Sequence, residues 1–241
     1  MTGRPLSSDT AMILAAGLGK RMRPLTAAQP KPLVRVAGKS LIDHALDKLA
    51  AAGVAQAVVN AHYMADALEA HLRMRKGAPR ITLSDERDLL LETGGGMVKA
   101  AGLLPEPFFC LNSDNIWLDG PADVFTELSQ AWDPERMDAL LLMVPHTRAC
   151  NYRGEGDFHL DPEGKVSRRR PGRVAPFIYT GIQLVSHRLL RDAPAGPFST
   201  NLLWTRAIAE GRLYGISHQG LWFEVGAPEA IKPTEEWLAR A

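Results

Sequence analysis

Apolar and polar positions change places in blocks along this chain. "AMILAA" (11–16) is a short continuous apolar run, which predicts a buried strand. Leu41, Ile42, Ala45, Leu46 and Leu49 then recur at helical spacing. They predict a helix from Leu41 to about Ala52, capped by Ser40 and ended by Gly53. "AQAVVN", "RITLSD", "PFFCLNSD" and "DALLLMV" read as further strands. Between them, "MADALEAHLR", "GGGMVKAAGLL" and "DVFTELSQAW" read as helices, the second entered through its glycines. Such alternation predicts a parallel sheet wound on both faces by helices.

The pattern changes after the fifth strand. From about His146 to Ala175 the chain is polar, and "GDFHLDPEGKVSRRR" predicts a hairpin around a D-P-E-G turn. "PFIYTGIQLV" follows as an apolar strand, "TNLLWTRAIAEG" as a helix, "RLYGIS" and "LWFEV" as short strands, and "PEAIKPTEEWLAR" as a closing helix. The expected fold is α/β: a Rossmann-like, doubly wound, mostly parallel sheet with a small β-rich insertion. One domain over 1–241 is expected, with a core at 11–145 and a closing part at 146–241.

Charge narrows the partners. The 28 basic residues nearly balance 27 acidic ones, a net +1, so no bulk nucleic-acid binding is expected and any basic site is local. Cys110 and Cys150 match no metal spacing and read as reduced thiols of a cytoplasmic protein. "MTGRPLSSDT" lacks the apolar core of a signal peptide, and no apolar run is long enough to cross a membrane. There is no H-E-x-x-H zinc pattern and no G-x-S-x-G.

The densest candidate chemistry is "MILAAGLGKRMRPLTAAQPKPLVRVAG" (12–38). Its glycines and basic residues follow the first strand, where doubly wound sheets bind ligands. They can form a solvated turn or a cradle for an anion, with backbone N–H groups on phosphate oxygens. The run is neither a Walker A loop, since Arg21 follows Lys20, nor a dinucleotide fingerprint, since Met22 stands at the third glycine position.

The full run resembles the signature of sugar-1-phosphate nucleotidyltransferases. The resemblance implies a loop of Ala15, Ala16, Gly17 and Gly19 around a nucleoside triphosphate, with Arg21 on its phosphates and Lys31 at the reacting centre. It places the base-binding loop at "ETGGG", with Glu92, Thr93, Gly94 and Gly95. It makes Asp114, in "LNSDNIW", a catalytic Mg²⁺ ligand. The second ligand falls in "LWFEVGAPEAI", where the family carries W-x-D-V/I-G-T; this sequence has Glu224 instead of Asp. The added methylene moves the carboxylate by roughly 1.5 Å, about one C–C bond. "GEGDF" and "YTGIQ" resemble sugar-pocket segments, giving Asp157, Thr180 and Gly181 as candidates beside Asn60, Asn112 and Asn115.

The "LETGGG" form is similar to the short uridylyltransferases for N-acetylmuramate 1-phosphate, which implies a place in peptidoglycan recycling. Mannose or heptose guanylyltransferases are the alternative, as are a nucleotide-sugar-binding protein without turnover and a nucleotidyltransferase for a non-sugar phosphate such as phosphocholine or a polyol phosphate. No hexapeptide repeat, the mark of relatives with an acyltransferase extension, is seen. "SRRRPGR" (167–173) is left over: either a solvated hairpin loop or a face for an anionic ligand.

Overall fold

The computed structural model describes residues 5–240; residues 1–4, part of the segment read as lacking a signal peptide, and Ala241 lie outside them. The first apolar run forms β1 (Thr10–Leu14). After the glycine-rich stretch, β2 (Arg35–Val36) and β3 (Lys39–Ser40) make a small hairpin. Ser40 then caps α1 (Leu41–Ala51), its hydroxyl oxygen accepting from the Asp43 N–H. β4 (Gln56–Ala61), α2 (Ala65–Met74), β5 (Arg80–Asp85), α3 (Glu92–Ala100) and β6 (Phe108–Asn112) follow as the periodicity predicts. The three glycines of "ETGGG" sit inside the first turns of α3 rather than ahead of it.

β7 (Asn115–Leu118) is a strand that the apolar pattern does not separate from β6. Asp123 caps α4 (Val124–Ala131), which leads to β8 (Ala139–Pro145). β9 (Ala149–Cys150) is a short edge, and β10 (Phe158–Leu160) and β11 (Val166–Arg168) form the expected hairpin. β12 (Phe177–Val185), α5 (Asn201–Ala209), β13 (Leu213–Ser217), β14 (Leu221–Glu224) and α6 (Ile231–Leu238) complete the chain.

The central sheet runs β5-β4-β1-β6-β12-β8-β13, with β10 and β11 continuing from one end of β12. β5, β4, β1 and β6 are parallel neighbours, and β12 is antiparallel to both β6 and β8. The fifth predicted strand, β8, therefore does not extend the parallel set directly; the longer apolar β12 lies between. Strands before and after residue 146 share this sheet. β1 pairs with β4 on one side and β6 on the other, so strand order reverses at the carboxyl end of β1.

Burial follows the pleat. Ala11 and Ile13 join Leu46 and Leu49 of α1, Leu68 of α2 and Phe125 of α4 on one face. Met12 joins Met97 of α3 and Leu203 of α5 on the other. Phe109 and Phe125 meet edge to face with centroids 5.1 Å apart. Each such ring contributes about 1.5–3 kcal/mol through burial. A separate three-stranded sheet, β7-β14-β9, stands over the carboxyl-end crevice on its own apolar cluster of Met22, Ile116, Phe223 and Val225.

Candidate active site

The carboxyl ends of β1 and β6 open into a cleft of about 520 Å³. Residues 14–22 wrap one side of it, with Lys31, Asn60, Glu92, Thr93, Asn112 and Asp114 on the others. Ala15, Ala16, Gly17 and Gly19 thus lie together on its wall. Gly19 has a positive φ of 59°, and a Cβ there would come 3.0 Å from side-chain carbons of both Lys31 and Thr26. The Thr26 hydroxyl donates to the Gly19 carbonyl at 2.9 Å, closing the loop on itself. Glycine is needed because the turn is left-handed and packed at once.

Asn60, expected on the sugar side, lies in this cleft, and its amide is committed. Its Oδ1 accepts from the Ala15 N–H at 2.6 Å and its Nδ2 donates to Glu86 Oε1 at 2.7 Å. Glu86, fully buried, accepts from the Leu91 N–H through its other oxygen. One relay thus ties the ends of β1, β4 and β5 to the start of α3. Neither Asn60 nor Glu86 carries a motif signature, so their structural role escaped sequence reading.

Glu92 and Thr93 face the cleft, whereas Gly94 and Gly95 are buried behind it. Both glycine N–H groups donate to the Phe198 carbonyl, at 2.9 and 3.2 Å. A Cβ at Gly94 would fall 2.3 Å from the Phe198 ring, and one at Gly95 2.5 Å from the Gly196 carbonyl oxygen. Their smallness serves helix–loop packing, not an open surface for a flat base.

Lys31 meets Asp114 directly, Nζ on Oδ2, in the turn between β6 and β7. β14 pairs antiparallel with β7, and Glu224 stands opposite Asn115 in that ladder. This register places the second predicted carboxylate on a smaller cavity that Asp114 also lines. Arg21 Nη1 lies 3.6 Å from Glu224 Oε1, and 73% of the Arg21 side chain is exposed. The site thus sets two cations against two carboxylates around the cleft.

A second cavity of about 210 Å³ adjoins the first and shares Arg21, Asn112, Asp114 and Gly226 with it. Asp157, Thr180, Gly181, Asn115 and Glu224 line it, with Trp222 and Tyr152. β12 bulges here: its pairing with β8 slips between Tyr179 and Ile182. Bulges commonly re-aim side chains beside active sites. Gly181 has a φ of 83°, and a Cβ on it would come 2.7 Å from the amide nitrogens of Asn112 and Asn115. The Thr180 hydroxyl donates to the Leu142 carbonyl at 2.8 Å, and Asp157 Oδ2 accepts from the Tyr179 N–H at 2.9 Å. Asn115 Nδ2 and Trp222 Nε1, both buried, have no protein acceptor. Trp222 also belongs to the main apolar core cluster.

Among the described residues no group of three or more His, Cys, Asp or Glu side chains forms a ready metal cage. The donors present are two carboxylates, each beside a cation. That set fits a hard divalent ion whose remaining ligands are phosphate oxygens and water, as Mg²⁺ prefers.

Comparison with known proteins gives the same direction. The chain is 48% identical over 235 residues to the N-acetylmuramate alpha-1-phosphate uridylyltransferase of Caulobacter vibrioides, covering 96% of this chain and 97% of that protein. It is 32% identical to the catalytic subunit beta of mannose-1-phosphate guanylyltransferase from Danio rerio, over 91% of this chain and 61% of that longer protein. The crystal structure of HddC from Yersinia pseudotuberculosis complexed with GMP-PN superposes with a TM-score of 0.76 at 21% identity, over 95% of this chain and 99% of that one. The family described as nucleotidyl transferase matches residues 10–167, and the chain belongs to that family.

Proposed function

We propose that the protein transfers the uridylyl group of UTP to N-acetylmuramate 1-phosphate and releases pyrophosphate. The observation that carries this reading is the junction of two cavities, about 520 and 210 Å³, at Arg21 and Asp114. The larger suits the nucleotide and the smaller a pyranose. The 48% identity to the Caulobacter enzyme selects the uridylyl donor and the muramate acceptor.

In the proposed reaction an oxygen of the sugar 1-phosphate attacks the α-phosphorus in line. The P–O bond to the β-phosphate breaks, and its electron pair leaves with pyrophosphate. No general base is needed, because the attacking phosphate is already ionised. Positioning and charge neutralisation carry the rate. The backbone of residues 15–19 holds the triphosphate, with Ala15 oriented by Asn60. Lys31 leaves Asp114 for the α-phosphate, where negative charge accumulates. Arg21, exposed at the cleft, stabilises the departing pyrophosphate with its planar fork. Nucleotidyl transferases generally use a divalent cation; Asp114 and Glu224 would hold Mg²⁺, which supplies charge neutralisation between the two substrates. Asn115 and Trp222 donate to sugar oxygens.

Mannose-1-phosphate guanylyl transfer is the second reading, favoured by the 32% relative. Pyrophosphate release separates the two, with UTP, GTP, CTP and dTTP crossed against N-acetylmuramate, N-acetylglucosamine, glucose, mannose and heptose 1-phosphates. Release with UTP and the muramate phosphate is expected. Release only with GTP and mannose phosphate would replace the reading. Nucleotide binding without release across the panel would make the protein a binder.

A further inference from the structure

The sugar-side cavity shares a wall with a neighbouring one. Asp157 and Tyr179 also line another cavity, of about 350 Å³, between the β10–β11 hairpin and the start of α5. Arg168, from the run "SRRRPGR", projects into it. Its guanidinium donates to Asn201 Oδ1 at 3.0 Å, to the Asn201 carbonyl at 3.0 Å and to the Thr205 hydroxyl at 3.2 Å. All three acceptors are neutral. Among the described residues no carboxylate forms an ion pair with it.

The neighbouring Arg169 is built differently. Its Nη1 lies 2.7 Å from Glu155 Oε2 and also donates to the Arg173 carbonyl. The charge of Arg169 is answered within the protein; that of Arg168 is not. Arg168 is nevertheless held in place. Its guanidinium lies 5.5 Å from the centroid of Phe158, whose ring meets Trp204 at 6.0 Å. Burial pulls its pKa below the ordinary arginine value, opposed by the more distant charge of Asp157. Three hydrogen bonds leave two of the five guanidinium N–H donors unused. The spare donors, on Nε and Nη1, and the unanswered positive charge suit an anionic oxygen such as one of a carboxylate.

We propose that this cavity is the subsite for a carboxylate-bearing substituent of the sugar, with Arg168 as its ligand. The proposal rests on the uridylyltransferase reading above. N-acetylmuramate differs from N-acetylglucosamine by a lactyl ether on the ring, and that ether ends in a carboxylate. With the 1-phosphate at Lys31 and Asp114 and the ring in the 210 Å³ cavity, the lactyl arm would reach past the wall that Asp157 and Tyr179 form between the two cavities, toward Arg168. A sugar without the arm leaves Arg168 with its neutral partners only. Arg168 would therefore select the acidic sugar without taking part in phosphoryl transfer.

The test is steady-state kinetics of the wild type, Arg168→Met and Arg168→Lys. UTP is the donor, and N-acetylmuramate 1-phosphate and N-acetylglucosamine 1-phosphate are compared as acceptors. Loss of a charge-assisted pair predicts a fall of about ten- to hundredfold in kcat/KM for the muramate phosphate in Arg168→Met. The fall should lie in KM, with the glucosamine phosphate changed less than about twofold. Arg168→Lys, which keeps the charge and loses the hydrogen bonds that orient the guanidinium, should recover part of the loss. Equal losses for both sugars, or an unchanged preference, would overturn the subsite while leaving the uridylyltransferase reading intact. A wild type that does not use the muramate phosphate at all would remove both. UTP affinity and melting temperature, measured on each variant, separate a folding defect from a binding defect.

Discussion

Glu224 stands opposite Asn115 in the antiparallel ladder of β14 and β7, one residue beyond Asp114. Residues opposed in such a ladder point to one face of the sheet. The pairing, rather than any closeness in sequence, therefore delivers the second carboxylate to the cleft. With Glu224 in a metal-holding role, Glu224→Ala should lower kcat by at least about a hundredfold. Glu224→Asp, which matches the commoner family residue, should keep or raise it. Initial rates against Mg²⁺ concentration test this; unchanged activity in the alanine variant would show that Glu224 is not a ligand.

Asp114 holds Lys31 by a direct ion pair. Asp114→Asn keeps the side-chain shape and an acceptor for Lys31 but removes the negative charge. Turnover should fall by about a thousandfold or more, since charge placed for the transition state is the main catalytic contribution. The circular dichroism spectrum should match wild type. Normal Mg²⁺-dependent rates would sink the active-site assignment.

Gly96 is packed against the relay that positions the phosphate loop. A Cβ on it would sit 2.9 Å from both Asn60 Nδ2 and Glu86 Oε1. Gly96→Ala should cost about 1–3 kcal/mol through overpacking. For a chain of this size that is roughly 2–4 °C of Tm per kcal/mol. UTP affinity should fall as well, because Asn60 can no longer hold the Ala15 N–H. Calorimetric melting and titration with UTP measure the two effects separately.

Glu127 is far from the chemistry and controls stability instead. Burial, with the nearby charges of Asp119 and Asp123, raises its pKa above the usual carboxylate value of 4.5. Its Oε2 has no hydrogen-bond partner and lies 3.9 Å from Nδ1 of the buried His218. Because its folded pKa is raised, the folded chain keeps the proton that the unfolded chain has already lost. Stability from this group therefore falls as pH rises above 4.5. Glu127→Gln should be more stable than wild type at pH 7–8, with the gain vanishing toward pH 4. Urea melts of both proteins across that range test the sign.

What the sequence by itself determined was local. The period of apolar residues sets β1, α1 and the alternation that follows. Ser40 and Asp123 mark helix starts because their side chains satisfy backbone donors wherever the fold puts them. The loop from Ala15 to Lys31 was legible through its resemblance to the nucleotidyltransferase signature, because its glycines and basic residues alone fit a solvated turn as well as an anion cradle. Tertiary structure decided what depends on distant partners. β12 entered between β6 and β8 by pairing, which periodicity does not encode. Asn60 moved from the sugar side to the phosphate loop because the end of β4 lies beside the end of β1. Gly94 and Gly95 turned out to serve Phe198 and Gly196, about a hundred residues away. The placement of Glu224 and Asp114 on one cavity likewise rests on one strand register, a long-range choice made by packing rather than by neighbouring residues.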